Sequence, residues 1–192
     1  MITTDMNLGQ FAERLTETAV EYREEPFTLR AGGMSHWYVD HRVGLGVNDM
    51  IIAAAGFIVA KAEEVQIEWE VAAGGGVGGR GLAIMTAIQG DKSWAIANLD
   101  KTDTKDFENG YGLHGSKVKH KKVLLVDDIG SSGSSIIELV EMVRENGGEV
   151  EHAVTISDRS NGKAAEALAE IGLIYHALLE FDETTGKLIP IA

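Results

Sequence analysis

In the second half of the chain three apolar runs, KKVLLVDD (121–128), EVEHAVTISD (149–158) and LIYHALLEFDE (173–183), alternate with two segments of helical period, SSIIELVEMVRENGG (134–148) and GKAAEALAEIG (162–172). Such runs suit strands buried on both faces, and each helical segment closes on glycine, which tolerates the left-handed turn past a helix end. Strands that alternate with helices need crossover connections, so the pattern predicts an α/β fold with a mainly parallel sheet flanked by helices. Upstream, SWAIANL (93–99) and QIEWEVAA (66–73) read as further strands, and NDMIIAAAGFIVAKAEE (48–64) as a helix with Asn48 as its N-cap. At the start, NLGQFAERLTETAVEYREE (7–25) sets Leu8, Phe11, Leu15, Ala19 and Tyr22 at helical spacing, an amphipathic helix that Pro26 should stop. With no internal repeat or linker along its 192 residues, the chain is expected to form one domain, 1–192. Residues 100–120, DKTDTKDFENGYGLHGSKVKH, are the one long stretch without periodicity, and loops of that length in compact domains are usually functional or mobile.

Ligands of open parallel sheets sit beyond the carboxyl ends of the strands, where strand gives way to helix. VLLVDDIGSSGSS (123–135) lies at such a junction. Asp127 and Asp128 close the strand, and Gly130 and Gly133 let the backbone curl into a helix starting near Ser134. Amides of that turn can face a phosphate, aided by the helix dipole and by the hydroxyls of Ser131, Ser132, Ser134 and Ser135. The carboxylates suit hydroxyl groups or a hydrated metal, and a ribose 5-phosphate is the simplest ligand that meets both needs. For either half alone, a strand, an Asp N-cap and a serine-rich helix start would be the plainer explanation; four apolar residues, two Asp, one apolar and then GSSGSS form a far more specific combination.

This motif resembles the phosphoribosyl-pyrophosphate signature of type I phosphoribosyltransferases. The resemblance implies that family's fold, with a small hood formed by the N-terminal segment (about 1–45) and a mobile loop (about 100–120). It also implies that Asp127 and Asp128 act catalytically on the ribose hydroxyls while Ile129, Gly130, Ser131, Ser132, Gly133, Ser134 and Ser135 wrap the 5-phosphate. Other segments are similar to the orotate phosphoribosyltransferases within it. FTLRAGGMSHWYVD (27–40) places Arg30 where the family has a lysine facing orotate or the pyrophosphate, and Tyr38 where an aromatic residue packs on the base. SDRSNGKAAEALAEIG (157–172) makes Arg159 the candidate partner of the orotate carboxylate, with Ser131 also near the base. A surface turn and a solvated arginine pairing with Glu166 or Asp182 are the alternatives. KTDTKDFENGYG (101–112) aligns with the mobile catalytic loop: Lys105 is the implied catalytic cation, and Lys101 and Lys105 would contact phosphoribosyl pyrophosphate. Lys101, Thr102 and Phe107 stand where the family has Arg, Lys and His. GGVGGRGLA (75–83) corresponds to the pyrophosphate loop, through Gly78, Gly79 and Arg80. Transfer of the phosphoribosyl group to orotate in pyrimidine (UMP) biosynthesis, Mg2+ held through substrate and water near Asp127 and Asp128, and a homodimer complete what the resemblance implies.

Two further readings stay open on these residues. A binding or regulatory protein weakened in catalysis by the loop changes is one, with a different accepting base as a variant of the enzyme reading. The other is a dinucleotide-binding oxidoreductase, because Gly74, Gly76 and Gly79 satisfy G-x-G-x-x-G and Asp100 follows about 20 residues later. Against it, six glycines in eight positions match many patterns, and such fingerprints normally sit on the first strand of their sheet. Composition narrows the classes further. A formal net charge of -13 disfavours broad binding to nucleic acid or anionic membranes, so an anionic ligand needs a local device. No apolar run is long enough to span a bilayer, the start lacks a secretory pattern, and there is no cysteine, so a soluble cytoplasmic protein is expected. The histidines show no metal-ligand spacing and read as strand or loop residues; KVKHKK (117–122) reads as a polar lead into a strand.

Overall fold

The computed structural model describes residues 4–29, 32–98 and 112–191. Asn7 and Gln10 form a reciprocal capping box that starts α1 (Leu8–Ala19), whose apolar stripe buries Phe11, Ala12, Leu15 and Ala19. The helix ends at Val20 instead of running on to Pro26, and Tyr22, expected on its apolar face, is 56% exposed on strand β1 (Val20–Thr28). β1 pairs antiparallel with β2 (Met34–Val39) as a separate two-stranded sheet. Pro26 falls in the register irregularity between Tyr22 and Phe27, where its missing N–H breaks no regular ladder. Asp40 caps the short α2 (His41–Leu45), and α3 (Asn48–Glu64) follows. The N-cap of α3 is Val47, without a side-chain cap bond; Asn48 is already helical and does not cap.

The main sheet contains β3 (Val71–Gly74), β4 (Ser93–Asn98), β5 (Gly112–Gly115), β6 (Lys122–Gly130), β7 (Glu149–Asp158), β8 (Ile174–Asp182) and β9 (Lys187–Pro190) in the order β5-β4-β3-β6-β7-β8-β9. Neighbours from β4 to β8 run parallel, and β5 and β9 close the edges antiparallel. Three helices provide the crossovers: α4 (Gly76–Gly90), α5 (Ser134–Glu145) and α6 (Lys163–Ala169). The α/β architecture expected from the alternating pattern is the one observed.

Side-chain alternation along the strands divides the core between two layers. Leu124, Val126, Val154 and Ile156 pack with α1, α3 and α4, while Val123, Leu125 and Ala153 pack with α5 and α6. Leu124, Leu125, Ile156 and Leu179 are essentially inaccessible, each contributing roughly 1.5–3 kcal/mol by leaving water. From β3 the chain crosses through α4 to β4 on one side; from β6 it crosses through α5 to β7 on the other. Strand order therefore reverses between β3 and β6, opening a crevice at their carboxyl ends, where ligands of such sheets bind.

Candidate active site

Asp127 and Asp128 occupy successive positions near the end of β6 and so turn to opposite faces of the sheet, Asp127 continuing the Val123–Leu125 side and Asp128 the Leu124–Val126 side. The first turn of α4 lies against both. A Cβ on Gly78 would sit 2.2 Å from Asp128 Oδ2, and one on Gly79 would sit 2.8 Å from Asp127 Oδ1, so only glycine allows the helix this close. Gly78, Gly79 and Arg80, expected in a loop ahead of a helix, lie inside the helix, which begins at Gly76. Arg80 donates from Nε to the Ala97 carbonyl (3.0 Å) and from Nη2 to Asn98 Oδ1 (3.0 Å), committing it to the end of β4.

The carboxyl groups are held by local backbone. Asp127 Oδ1 accepts from the Asp128 N–H (2.9 Å), and Asp128 Oδ1 from that of Ile129 (3.0 Å). Burial pushes the Asp127 carboxyl well above the usual carboxylate range, and the adjacent charge of Asp128 pushes the same way. After Asp128 the strand runs on to Gly130, and Ser131 and Ser132, both half-buried, lead to Gly133. Gly133 takes φ 77°, a left-handed turn that puts it at the N-cap of α5, where it has no side chain to cap the helix; the Ser134 N–H instead donates to Ser132 Oγ (3.4 Å). Ser132 Oγ lies 2.9 Å from Ser134 Oγ, and Ser134 and Ser135 are exposed. Gly75, at the N-cap of α4, likewise provides no side-chain cap. Two helix N-termini, each with glycine at the N-cap, thus flank one acidic pair at the switch between β3 and β6, an arrangement suited to two anionic groups with hydroxyls between them.

Sequence reasoning missed His41. It opens α2, is fully buried, and places Nδ1 3.1 Å from the Asp128 carbonyl and Nε2 3.5 Å from Ser157 Oγ. A carbonyl can only accept, so Nδ1 carries the proton; burial holds the imidazole below its ordinary pKa and keeps it neutral. The contact spans 87 positions and leaves no local trace beyond Asp40 as an N-cap. A second hidden support lies under β6, where the Tyr175 hydroxyl is 2.7 Å from Thr155 Oγ1.

Arg159 follows β7 and is clamped. Nε donates to Glu183 Oε1 (2.8 Å), and Nη2 donates to Ser35 Oγ (2.8 Å) and the Trp37 carbonyl (2.7 Å), with the guanidinium 4.7 Å from the Phe181 ring centroid. Its carboxylate partner is Glu183, not Glu166 or Asp182. Tyr38 is on β2 with Arg23 over its ring at 4.2 Å and Phe27 at its edge. Arg30, Lys101 and Lys105 lie outside the described residues, as do Thr102 and Phe107. Among the described residues no group of three or more His, Cys, Asp or Glu side chains could hold a metal ion, so the acidic pair would need further ligands from substrate or water to do so.

Residues 81–175 match the phosphoribosyl transferase domain. Orotate phosphoribosyltransferase of Methanopyrus kandleri is 32% identical over 182 residues, covering 94% of this chain and 93% of that one. The chain belongs to the orotate phosphoribosyltransferase family. The Sulfolobus acidocaldarius orotate phosphoribosyltransferase is also 32% identical, over 85% of this chain and 79% of that one. Among solved structures, orotate phosphoribosyltransferase from Aeropyrum pernix has a TM-score of 0.71 at 26% identity, covering 88% of this chain and 94% of that one. The Mycobacterium tuberculosis H37Rv orotate phosphoribosyltransferase in complex with phosphoribosyl diphosphate has a TM-score of 0.71 at 22% identity, covering 92% and 90%, a likeness of fold. Membership in the orotate phosphoribosyltransferase family sets aside the dinucleotide reading. The glycine segment does follow the first strand of the main sheet, contrary to expectation, since the residues before it build a separate hairpin and helices. Its glycines serve the close approach of α4 to Asp127 and Asp128; Asp100 lies outside the described residues.

Proposed function

We propose that the protein transfers the phosphoribosyl group of phosphoribosyl pyrophosphate to N1 of orotate, giving orotidine 5-phosphate and pyrophosphate. The observation that carries this reading is the pair of glycine-capped helix N-termini on either side of Asp127 and Asp128, a match to a ligand with phosphate at one end, diphosphate at the other and hydroxyls between. In the reaction the bond from the anomeric carbon to the diphosphate oxygen breaks and a bond to orotate N1 forms. Positive charge grows on the ribose and negative charge on the leaving diphosphate, so the work of the site is mainly electrostatic.

Each group of residues then has a task. The α5 turn, Gly130 to Ser135, holds the 5-phosphate; the first turn of α4 faces the diphosphate; Asp127 and Asp128 hold the ribose hydroxyls. Arg159 meets the base carboxylate, with Tyr38, Ser131 and Arg30 nearby, and Lys101 and Lys105 close over the diphosphate. Asp127 and Asp128 would hold a hydrated Mg2+ through its waters, and when bound it would offset the negative charge that develops on the leaving diphosphate. Orotate already carries a negative charge, so no general base is assigned. A homodimer, in which the loop ahead of β5, the first part of the 100–120 segment, completes the neighbour's site, and a cytoplasmic setting belong to the same proposal; the rest of that segment, expected as loop, includes strand β5. Purified protein given Mg2+ and phosphoribosyl pyrophosphate is expected to consume orotate, read as loss of its ultraviolet absorbance. Unchanged absorbance together with thermal stabilisation by phosphoribosyl pyrophosphate would instead support the binding-protein reading, which the Thr102 and Phe107 replacements favour.

A further inference from the structure

Glu183 has no place in the reading above, yet it is bonded to the one residue that reading assigns to the base carboxylate. It stands just past β8, in the turn toward β9, and its carboxylate bridges two groups: Oε1 accepts from Arg159 Nε (2.8 Å) and Oε2 from the Ser35 hydroxyl (2.8 Å). Ser35 is only 4% exposed and in turn accepts from Arg159 Nη2 and from the Trp37 N–H (2.9 Å). The Trp37 indole donates to the Glu183 carbonyl (3.1 Å), so this turn is stitched to β2 at both backbone and side chain.

Counting protons on the guanidinium gives the consequence. Of its five N–H groups, Nε has one, given to Glu183, and Nη2 has two, given to Ser35 and the Trp37 carbonyl. Both planar forks of the guanidinium include Nη2, and both are therefore occupied. Nη1 takes no part in these bonds and is the end left to meet a ligand. Which way Nη1 points is set by the partners of Nε and Nη2, of which Glu183 is the only charged one.

We propose that Glu183 is a positioning residue for the accepting base: it locks Arg159 against β2 of the β1–β2 hairpin so that Nη1 is presented to the base carboxylate. The inference rests on the proposed transfer to orotate. Two effects of Glu183 compete. Its charge partly cancels the pull of Arg159 on a substrate anion, while its hydrogen bond fixes the guanidinium. Glu183 is 45% exposed at its side chain and Arg159 only 9%, so solvent screens the charge of Glu183, and orientation dominates.

Steady-state kinetics with orotate and phosphoribosyl pyrophosphate varied separately test this. Glu183→Ala is expected to raise the KM for orotate about tenfold, the loss expected for one hydrogen bond to a charged group, with kcat, the KM for phosphoribosyl pyrophosphate and the thermal midpoint close to those of the parent. Glu183→Gln keeps an oxygen for Arg159 Nε and should recover most of the orotate KM. An unchanged or lowered KM for orotate in Glu183→Ala overturns the proposal, as does a rise matched by the KM for phosphoribosyl pyrophosphate and a fall in thermal midpoint, which would mark a purely structural role. If the parent protein itself leaves orotate unconsumed, the transfer reading falls and this inference with it; an active parent with an unaffected variant overturns only the inference.

Discussion

Burial and the charge of Asp128 leave the Asp127 carboxyl with a raised pKa, so the ligand-free site holds a carboxylate that folding disfavours. Below about pH 3.9, the ordinary carboxylate value, folded and unfolded chains both keep this proton and nothing is lost. As pH climbs from there toward the raised value, the unfolded chain releases the proton while the folded chain retains it, and stability falls. Asp127→Asn removes that penalty and keeps an oxygen for the Asp128 N–H. The ligand-free variant should therefore melt higher than the parent at neutral pH, by roughly 2–4 °C if about 1 kcal/mol is regained, with the gap narrowing toward pH 4.5. Under the proposed function it should also lack the stabilisation expected of the parent with Mg2+ and phosphoribosyl pyrophosphate. Thermal melts from pH 4.5 to 8, with and without ligand, check both; an equal or lower melting temperature for the ligand-free variant at pH 8 refutes the argument. Asp127, Asp128 and the serines were legible because a strand and the turn after it are contiguous in sequence. His41, Glu183 and Tyr175 were not, since each acts through contacts with distant parts of the chain.

Elements with strong periodicity or burial could be read directly: 134–145 is helix and 149–158 is strand, as their patterns require. The β1–β2 hairpin could not. Most of β1 is exposed, so no alternation marks it, and Tyr22 happens to continue the helical spacing of Leu8 to Ala19. Five-residue α2 is too short to show a period. For α4, glycine density was visible, but the reason for it was not, because Asp128 approaches Gly78 from a strand 50 positions away. That contact makes a prediction for the helix. Gly78→Ala must displace the Asp128 carboxylate or lift α4 from β6, costing about 1–3 kcal/mol as other overpacked sites do, and raising the KM for phosphoribosyl pyrophosphate. Gly81→Ala, in the same helix, would meet nothing nearer than Ile51 Cδ1 at 3.4 Å and should be neutral or stabilising by up to about 1 kcal/mol through helix propensity. Denaturant melts and kinetics of the two variants compare them on one element; equal effects would remove the contact from the explanation.

Across the whole molecule, a chain of net charge -13 is read as handling polyanions, and the reconciliation is local. Helix N-termini concentrate positive potential at one edge of the sheet, while the acidic surface elsewhere is screened within about 8 Å at physiological salt. Those N-termini come from one subunit, but the lysines proposed to close over the diphosphate sit in the segment at 100–120 and, in the proposed dimer, act on the neighbour's site. Mixing two defective variants tests this division. Lys105→Ala should disable a loop, and Asp127→Asn with Asp128→Asn should disable a pocket, so each homodimer alone should be nearly inactive. Mixed in equal amounts and allowed to exchange, half the dimers become hybrids, and each hybrid contains one site built from an intact loop and an intact pocket. The mixture should recover roughly a quarter of parental activity, since a quarter of all sites are then whole. If each site were completed within its own subunit, every site would keep one defect and mixing would restore nothing. The recovered fraction, measured after exchange is verified by a tag on one variant, therefore decides whether the catalytic unit is the subunit or the pair.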